Sequence, residues 1–156
     1  MRSLLTLAVL LSSLICARAA DATIVSVWPQ WRTAESFDRI GEYFGRAENT
    51  TGRRIFRTQA DVRAGFYFLV KLATPAVPAD AKFEVQVIAP DKPDPKTFLF
   101  PATAPKAETS FELGLTGADW AGGEKARPVA WRVALVAADG RVLAEQKSFL
   151  WENPAK

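Results

Sequence analysis

Aromatic rings, guanidinium groups and carboxylates are the side chains here that could do chemistry. The five tryptophans are Trp28, Trp31, Trp120, Trp131 and Trp151. An aromatic face stacks on sugar rings or on partner side chains, and tryptophan is favoured at binding hot spots. Trp120 sits in a glycine-bearing stretch between Gly117 and Gly123, the kind of loop where binding residues concentrate. Trp28, Trp31, Trp151 and Tyr43 are further candidates for an exposed ring. The competing reading makes Trp131 core, lets Trp28 and Trp31 pin a helix to the fold, and uses Trp120 to plug one end.

Residues 46–64 carry Arg46, Arg53, Arg54, Arg57 and Arg63 against Glu48 and Asp61, a local excess of three positive charges. Arginine forks match carboxylates and phosphates, so the cluster suits an anionic partner or glycan. The alternative is a solvated face with mixed charge. The candidate binding residues are therefore Trp120, Trp28, Trp31, Arg53, Arg54 and Arg57.

Carboxylates such as Glu42, Glu112 and Asp119 could supply a hydrolase, which needs two acids held a defined distance apart. No motif pairs them, so no catalytic residue is assigned. The chain has no histidine, and its one cysteine is Cys16. Downstream of residue 20 there is thus no Cys-His or Ser-His pair, no thiol and no imidazole for a structural zinc site. The expectation is a non-catalytic protein without a cofactor or metal.

The first twenty residues read as a secretory leader. Met1-Arg2 gives a positive start, Leu4 to Ile15 is nearly all apolar, and Ala17-Arg18-Ala19 offers small residues for cleavage. The apolar core is shorter than the ~20 residues of a membrane span. Residues 21–156 form the expected mature chain, with no transmembrane segment, exported to the periplasm or beyond. Lipidation at Cys16 is disfavoured, because Ser13 and Ile15 depart from the usual lipoprotein pattern. The whole chain has 20 basic and 17 acidic residues; setting Arg2 and Arg18 aside leaves a net charge of +1. That balance argues against a nucleic-acid partner, which asks for a strong basic excess. Asn49-Thr50-Thr51 matches a glycosylation sequon, relevant only in a eukaryotic secretory pathway.

The elements that must position these groups are mostly strands. Residues 23–31 read as a strand with Ile24, Ser26 and Trp28 on one face and Pro29 marking an edge. Thr33 to Phe44 reads as a helix: Thr33 caps it, Glu35 suits its first turn, Phe37, Ile40 and Phe44 form one stripe, and Gly45 stops it. Residues 54–58 suit a short strand. Gly65 to Ala73 places Phe66, Phe68, Val70 and Leu72 on one face, and Lys82 to Ile88 alternates Phe83, Val85 and Val87 with polar residues. Seven of the ten prolines lie between Pro75 and Pro105 and punctuate short strands, one of them at 96–100. Residues 109–115 align Phe111, Leu113 and Leu115, and residues 116–127 form a loop. Residues 128–137 align Val129, Trp131, Val133 and Leu135. Asp139-Gly140 predicts a type I′ hairpin turn, and residues 141–151 its closing strand, with a bulge near 145–148 to reconcile the two faces.

Seven or eight short strands with one early helix predict a mainly β fold, an antiparallel sandwich, with an eight-stranded barrel as the competitor. The ending, a Trp-bearing strand, an Asp-Gly turn and a closing strand, resembles the last hairpin of immunoglobulin-like and fibronectin-III-like domains. That resemblance covers residues 54–151 by pattern alone; the length of the mature chain, about 136 residues, suits a single domain over 21–156. Trp28-Pro29-Gln30-Trp31-Arg32, Ser36-Phe37-Asp38-Arg39-Ile40 and Ala64-Gly65-Phe66-Tyr67-Phe68-Leu69-Val70 are similar to phrases in an uncharacterised group of small exported bacterial proteins of Verrucomicrobia-like lineages. That group implies no activity and no site residues. The functional expectation is an exported binding module for another exported protein, or alternatively a carbohydrate-binding module using exposed tryptophans.

Overall fold

Alternating apolar residues build two sheets that share one core. The computed structural model describes residues 22–37, 53–73, 77–102 and 109–152. The expected leader, Cys16, Glu42, Tyr43, Arg46 and the Asn49-Thr50-Thr51 stretch lie outside the described residues, as do positions 38–44 of the expected helix.

The described strands are β1 (Ile24–Arg32), β2 (Arg54–Arg57), β3 (Gly65–Leu72), β4 (Lys82–Ala89), β5 (Lys92–Pro101), β6 (Ser110–Thr116), β7 (Ala130–Val136) and β8 (Val142–Lys147). Sheet I has the order β1-β3-β6-β2, and sheet II the order β5-β4-β7-β8. The fold is mainly β, as the alternation predicts. One pairing departs from an antiparallel design: β2 runs parallel to β6.

Hydrophobic alternation decides which faces meet. Phe66, Phe68, Val70 and Leu72 of β3 and Phe111, Leu113 and Leu115 of β6 point inward from sheet I. Phe83, Val85 and Val87 of β4 and Val133 and Leu135 of β7 answer from sheet II. Phe83 meets Phe111 at 4.9 Å between ring centroids, and Phe68 meets Trp131 at 5.7 Å, so rings bridge the layers. Each such side chain contributes about 1.5–3 kcal/mol by burial, which is why no disulfide is needed to hold the sheets together.

Several local expectations are corrected. A bulge in β1 between Ile24 and Ser26 shifts its register. Ile24 therefore packs toward the core with Val27 instead of sharing a face with Trp28. Ala34–Phe37 forms a single 3-10 turn where the helix begins, with Ser36 donating its N–H to Thr33 O at 3.2 Å. The hairpin at 137–141 is not type I′. That turn needs positive φ at both central residues, and among the described residues Asp80 is the one non-glycine residue with positive φ. Gly140 alone takes it here, at φ 85°, and its N–H reaches Ala137 O at 2.9 Å, as in a type I turn followed by a glycine bulge. The closing strand ends at Lys147, and Phe149–Glu152 winds into a 3-10 turn. The register shift lies instead at the start of β8, opposite Leu135 and Val136. Strand β5 starts four residues earlier than expected, taking in Pro93 and Pro95, which an edge strand tolerates. Val129 stays exposed and Trp131 is half-buried.

Candidate functional site

The register of sheet I lines up side chains in rows across its outer face. Trp28 on β1 lies opposite Leu69 on β3, Leu69 opposite Glu112 on β6, and Glu112 opposite Ile55 on β2. The next row runs Gln30, Tyr67, Gly114, Arg57. On the other side of the Trp28 row stand Ser26, Lys71 and Ser110. A shallow trough of about 200 Å³ lies among Trp28, Leu69, Lys71, Glu112 and Arg53. Trp28 is 67% exposed, the largest exposure of any described tryptophan, because its strand neighbours Val27 and Trp31 take the inward positions.

Glu112 is the buried charge of this face, 2% exposed on the outer side of a central strand. Arg32 forms a close ion pair with one of its carboxylate oxygens. Arg53 reaches the other at 3.3 Å. Arg32 also holds the 3-10 turn, donating to Ser36 O at 2.9 Å and Ser36 Oγ at 3.2 Å. Its guanidinium lies 3.8 Å from the Phe37 ring centroid, and Arg57 lies 4.8 Å from the same centroid. Phe37 in turn rests on Tyr67 at 5.1 Å. The cations thus use both a carboxylate and an aromatic face to stay at a partly buried position.

Tyr67 anchors the second row. Its hydroxyl donates to Arg63 O at 2.6 Å and accepts from Arg57 Nε at 3.0 Å. Burial pushes the phenol above its ordinary pKa, while the hydrogen bond and charge of Arg57 oppose that rise. Its ring fills the space over Gly114, where a Cβ would collide with it.

A second concavity of about 370 Å³ opens between the β4–β5 hairpin and residues 118–126. Lys92, Asp94 and Lys96 line its hairpin side, and the Lys96 ammonium pairs with Asp119 at 2.7 Å. The hydrogen bond from Lys96 holds the Asp119 carboxyl below the usual range, with Thr58 helping and partial burial opposing. Trp120 contributes to the wall, yet only 6% of it is exposed. Its ring lies 4.8 Å from Phe66, and its indole N–H donates to Gly123 O at 3.3 Å.

Of the six binding residues expected from the sequence, the structure brings Trp28 and Arg53 to one trough, with Arg57 in the adjacent row. Arg54 takes the opposite parity on β2 beside Phe56, its guanidinium 5.7 Å from that ring. Trp31 packs against the core, and Trp120 is a core residue at the far concavity, so neither offers an open ring. Glu112 and Asp119 are not partners: one is fixed by arginines on sheet I, the other by Lys96 at the second cleft. Arg32 and Lys71 were not singled out by sequence. An alternation count does place Lys71 outward beside Leu69, but Arg32 becomes a site residue only through pairing with Glu112. Among the described residues no group of three or more His, Cys, Asp or Glu is placed to hold a metal ion, and no helix is long and apolar enough to cross a membrane. No protein-family model, no curated protein and no solved structure matches the chain.

Proposed function

We propose that this chain is an exported, non-catalytic interaction module with an immunoglobulin-like sandwich fold, and that it takes a partner on the outer face of sheet I. The strand order supports the fold reading. With β2 set aside, the first, second and fifth strands share one sheet and the remaining four share the other. That is the division of an immunoglobulin-type sandwich whose fourth strand has moved to the opposite sheet. Export is read from the basic, apolar and small-residue order of residues 1–20.

The observation that carries the binding reading is the exposed ring of Trp28 on an otherwise ordered sheet face. An indole left 67% exposed beside a trough is the type of aromatic anchor that interfaces use. The charges at the trough favour an anionic partner. Arg53 and Lys71 line it with Glu112, whose own charge Arg32 already matches. A segment presenting a carboxylate beside an apolar side chain would lay the apolar part on Trp28 and the acid between Arg53 and Lys71. The carbohydrate reading depends on exposed tryptophans, and Trp28 alone among the described ones is open.

Capture from envelope extract, run beside a polysaccharide array, tests this reading. The expected result is a protein partner lost on Trp28→Ala or Arg53→Glu while the variants stay folded, with binding weakened by salt. A glycan hit lost on Trp28→Ala would install the carbohydrate reading instead. Binding that ignores both substitutions would remove this face from the function.

A further inference from the structure

We infer that β8 is an open sheet edge built to pair with β8 of a second copy of this chain, giving a two-fold dimer with a continuous sheet II. The inference is independent of the partner proposed for sheet I.

Three of the four sheet edges carry devices that discourage strand addition. Strand β1 contains Pro29 and a bulge. Strand β5 contains Pro93, Pro95 and Pro101, with Lys92, Asp94 and Lys96 turned into the adjoining cleft. Strand β2 has four residues and an arginine at each end. Proline, inward charge and shortness are the usual guards of an edge. Strand β8, Val-Leu-Ala-Glu-Gln-Lys, has no proline or glycine; its bulge lies at its first residues and leaves Ala144–Lys147 regular, and among the described strands it is hydrogen-bonded to β7 alone, with β1 nearby but not paired to it. Apolar side chains stand open at both ends of this edge: Val142 is 44% exposed, Phe149 82% and Leu150 53%.

Backbone direction fixes which registers are possible. Ser148 donates its N–H to Trp131 O at 2.9 Å, toward β7. Strand alternation then turns the backbone of Gln146 and Ala144 toward β7 and that of Glu145 and Lys147 outward. A two-fold antiparallel pair must match outward residues with outward residues, so the axis falls on a residue. Centred on Glu145 it sets two carboxylates face to face, and centred on Lys147 two ammonium groups. Centred on Ala144 it leaves Glu145 opposite Leu143. Centred on Gln146 it places Glu145 of each copy opposite Lys147 of the other, twice over. The same register brings the Val142 end of each β8 toward the 3-10 turn that bears Phe149 and Leu150 in the second copy. Of these four registers the one centred on Gln146 alone matches opposite charges, as an isologous interface requires.

Sedimentation equilibrium of the purified protein tests this. A short edge interface predicts a reversible dimer with a dissociation constant on the order of 10 μM. Glu145→Lys sets like charges opposite each other twice and should weaken the dimer at least about tenfold. Adding Lys147→Glu reverses both signs and should restore it. Because Glu145 also pairs within its own chain with Arg132 at 2.8 Å and with Lys147 at 3.8 Å, Lys147→Pro serves as a second variant, removing an outward N–H while leaving the Arg132 pair in place. It should give a folded monomer. A protein that stays monomeric at about 100 μM, tenfold above that constant, overturns the inference. So does a dimer indifferent to both Glu145→Lys and Lys147→Pro.

Discussion

Replacing Glu112 with glutamine removes the charge that Arg32 and Arg53 share. The cost follows from burial. The Glu112 side chain is 3% exposed and that of Arg32 16%, so the substitution leaves a guanidinium with little water to replace its partner. Breaking a buried pair from one side costs about 3–5 kcal/mol. The Arg53 contact is discounted to about 0.5 kcal/mol, because that side chain is 53% exposed and screened. Glutamine keeps an acceptor and recovers about 1 kcal/mol. The expected loss is therefore about 3 kcal/mol, which for a domain of this size lowers Tm by roughly 10 °C. Urea unfolding at neutral pH, followed by tryptophan fluorescence, reads the first quantity, and calorimetry the second. A companion variant, Arg32→Met with Glu112→Leu, should regain most of the loss, since an apolar pair of similar volume avoids the desolvation cost. If Glu112→Gln costs less than about 1 kcal/mol, the carboxylate is effectively solvated and the account of this face is wrong.

Trp120→Ala should destabilise the fold by about 3–5 kcal/mol, since it empties the site against Phe66; a change below about 1 kcal/mol in urea titration would return Trp120 to the open-ring candidates. Asp119 has a folded-state pKa lowered chiefly by Lys96. Its contribution to stability is thus present above the ordinary carboxylate range and lost as pH falls through and below it. Comparing the protein with Asp119→Asn by thermal melting from neutral to strongly acid pH should show a shallower acid slope in the variant; identical slopes would refute the coupling.

Much of the fold was legible because strand faces are a local property. Phe66 to Leu72, Phe83 to Val87 and Phe111 to Leu115 alternate cleanly, and the structure buries the residues that alternation selects. Alternation fails where the backbone slips by one residue. The bulge at Ile24–Ser26 inverts the expected face of Ile24, and the one at β8 sits elsewhere than side-chain pattern suggested. Turn chemistry was half legible. Asp139-Gly140 marked the hairpin, but a type I turn with one positive-φ glycine competes with type I′, and neighbouring strand twist selects between them.

The sequence by itself determined the β character, the core faces, and the lack of any imidazole or, past residue 20, thiol chemistry, because composition and period-two patterning need no partner to be read. Only the tertiary structure decided that Trp28 and Arg53 share a trough while Trp120 and Arg54 do not. Positions 28, 53, 69 and 112 are far apart in the chain and meet only through the pairing of β1, β3, β6 and β2. Long-range register, including a parallel contact that no local signal announces, sets the distance between charges and rings, and that distance is what makes a site.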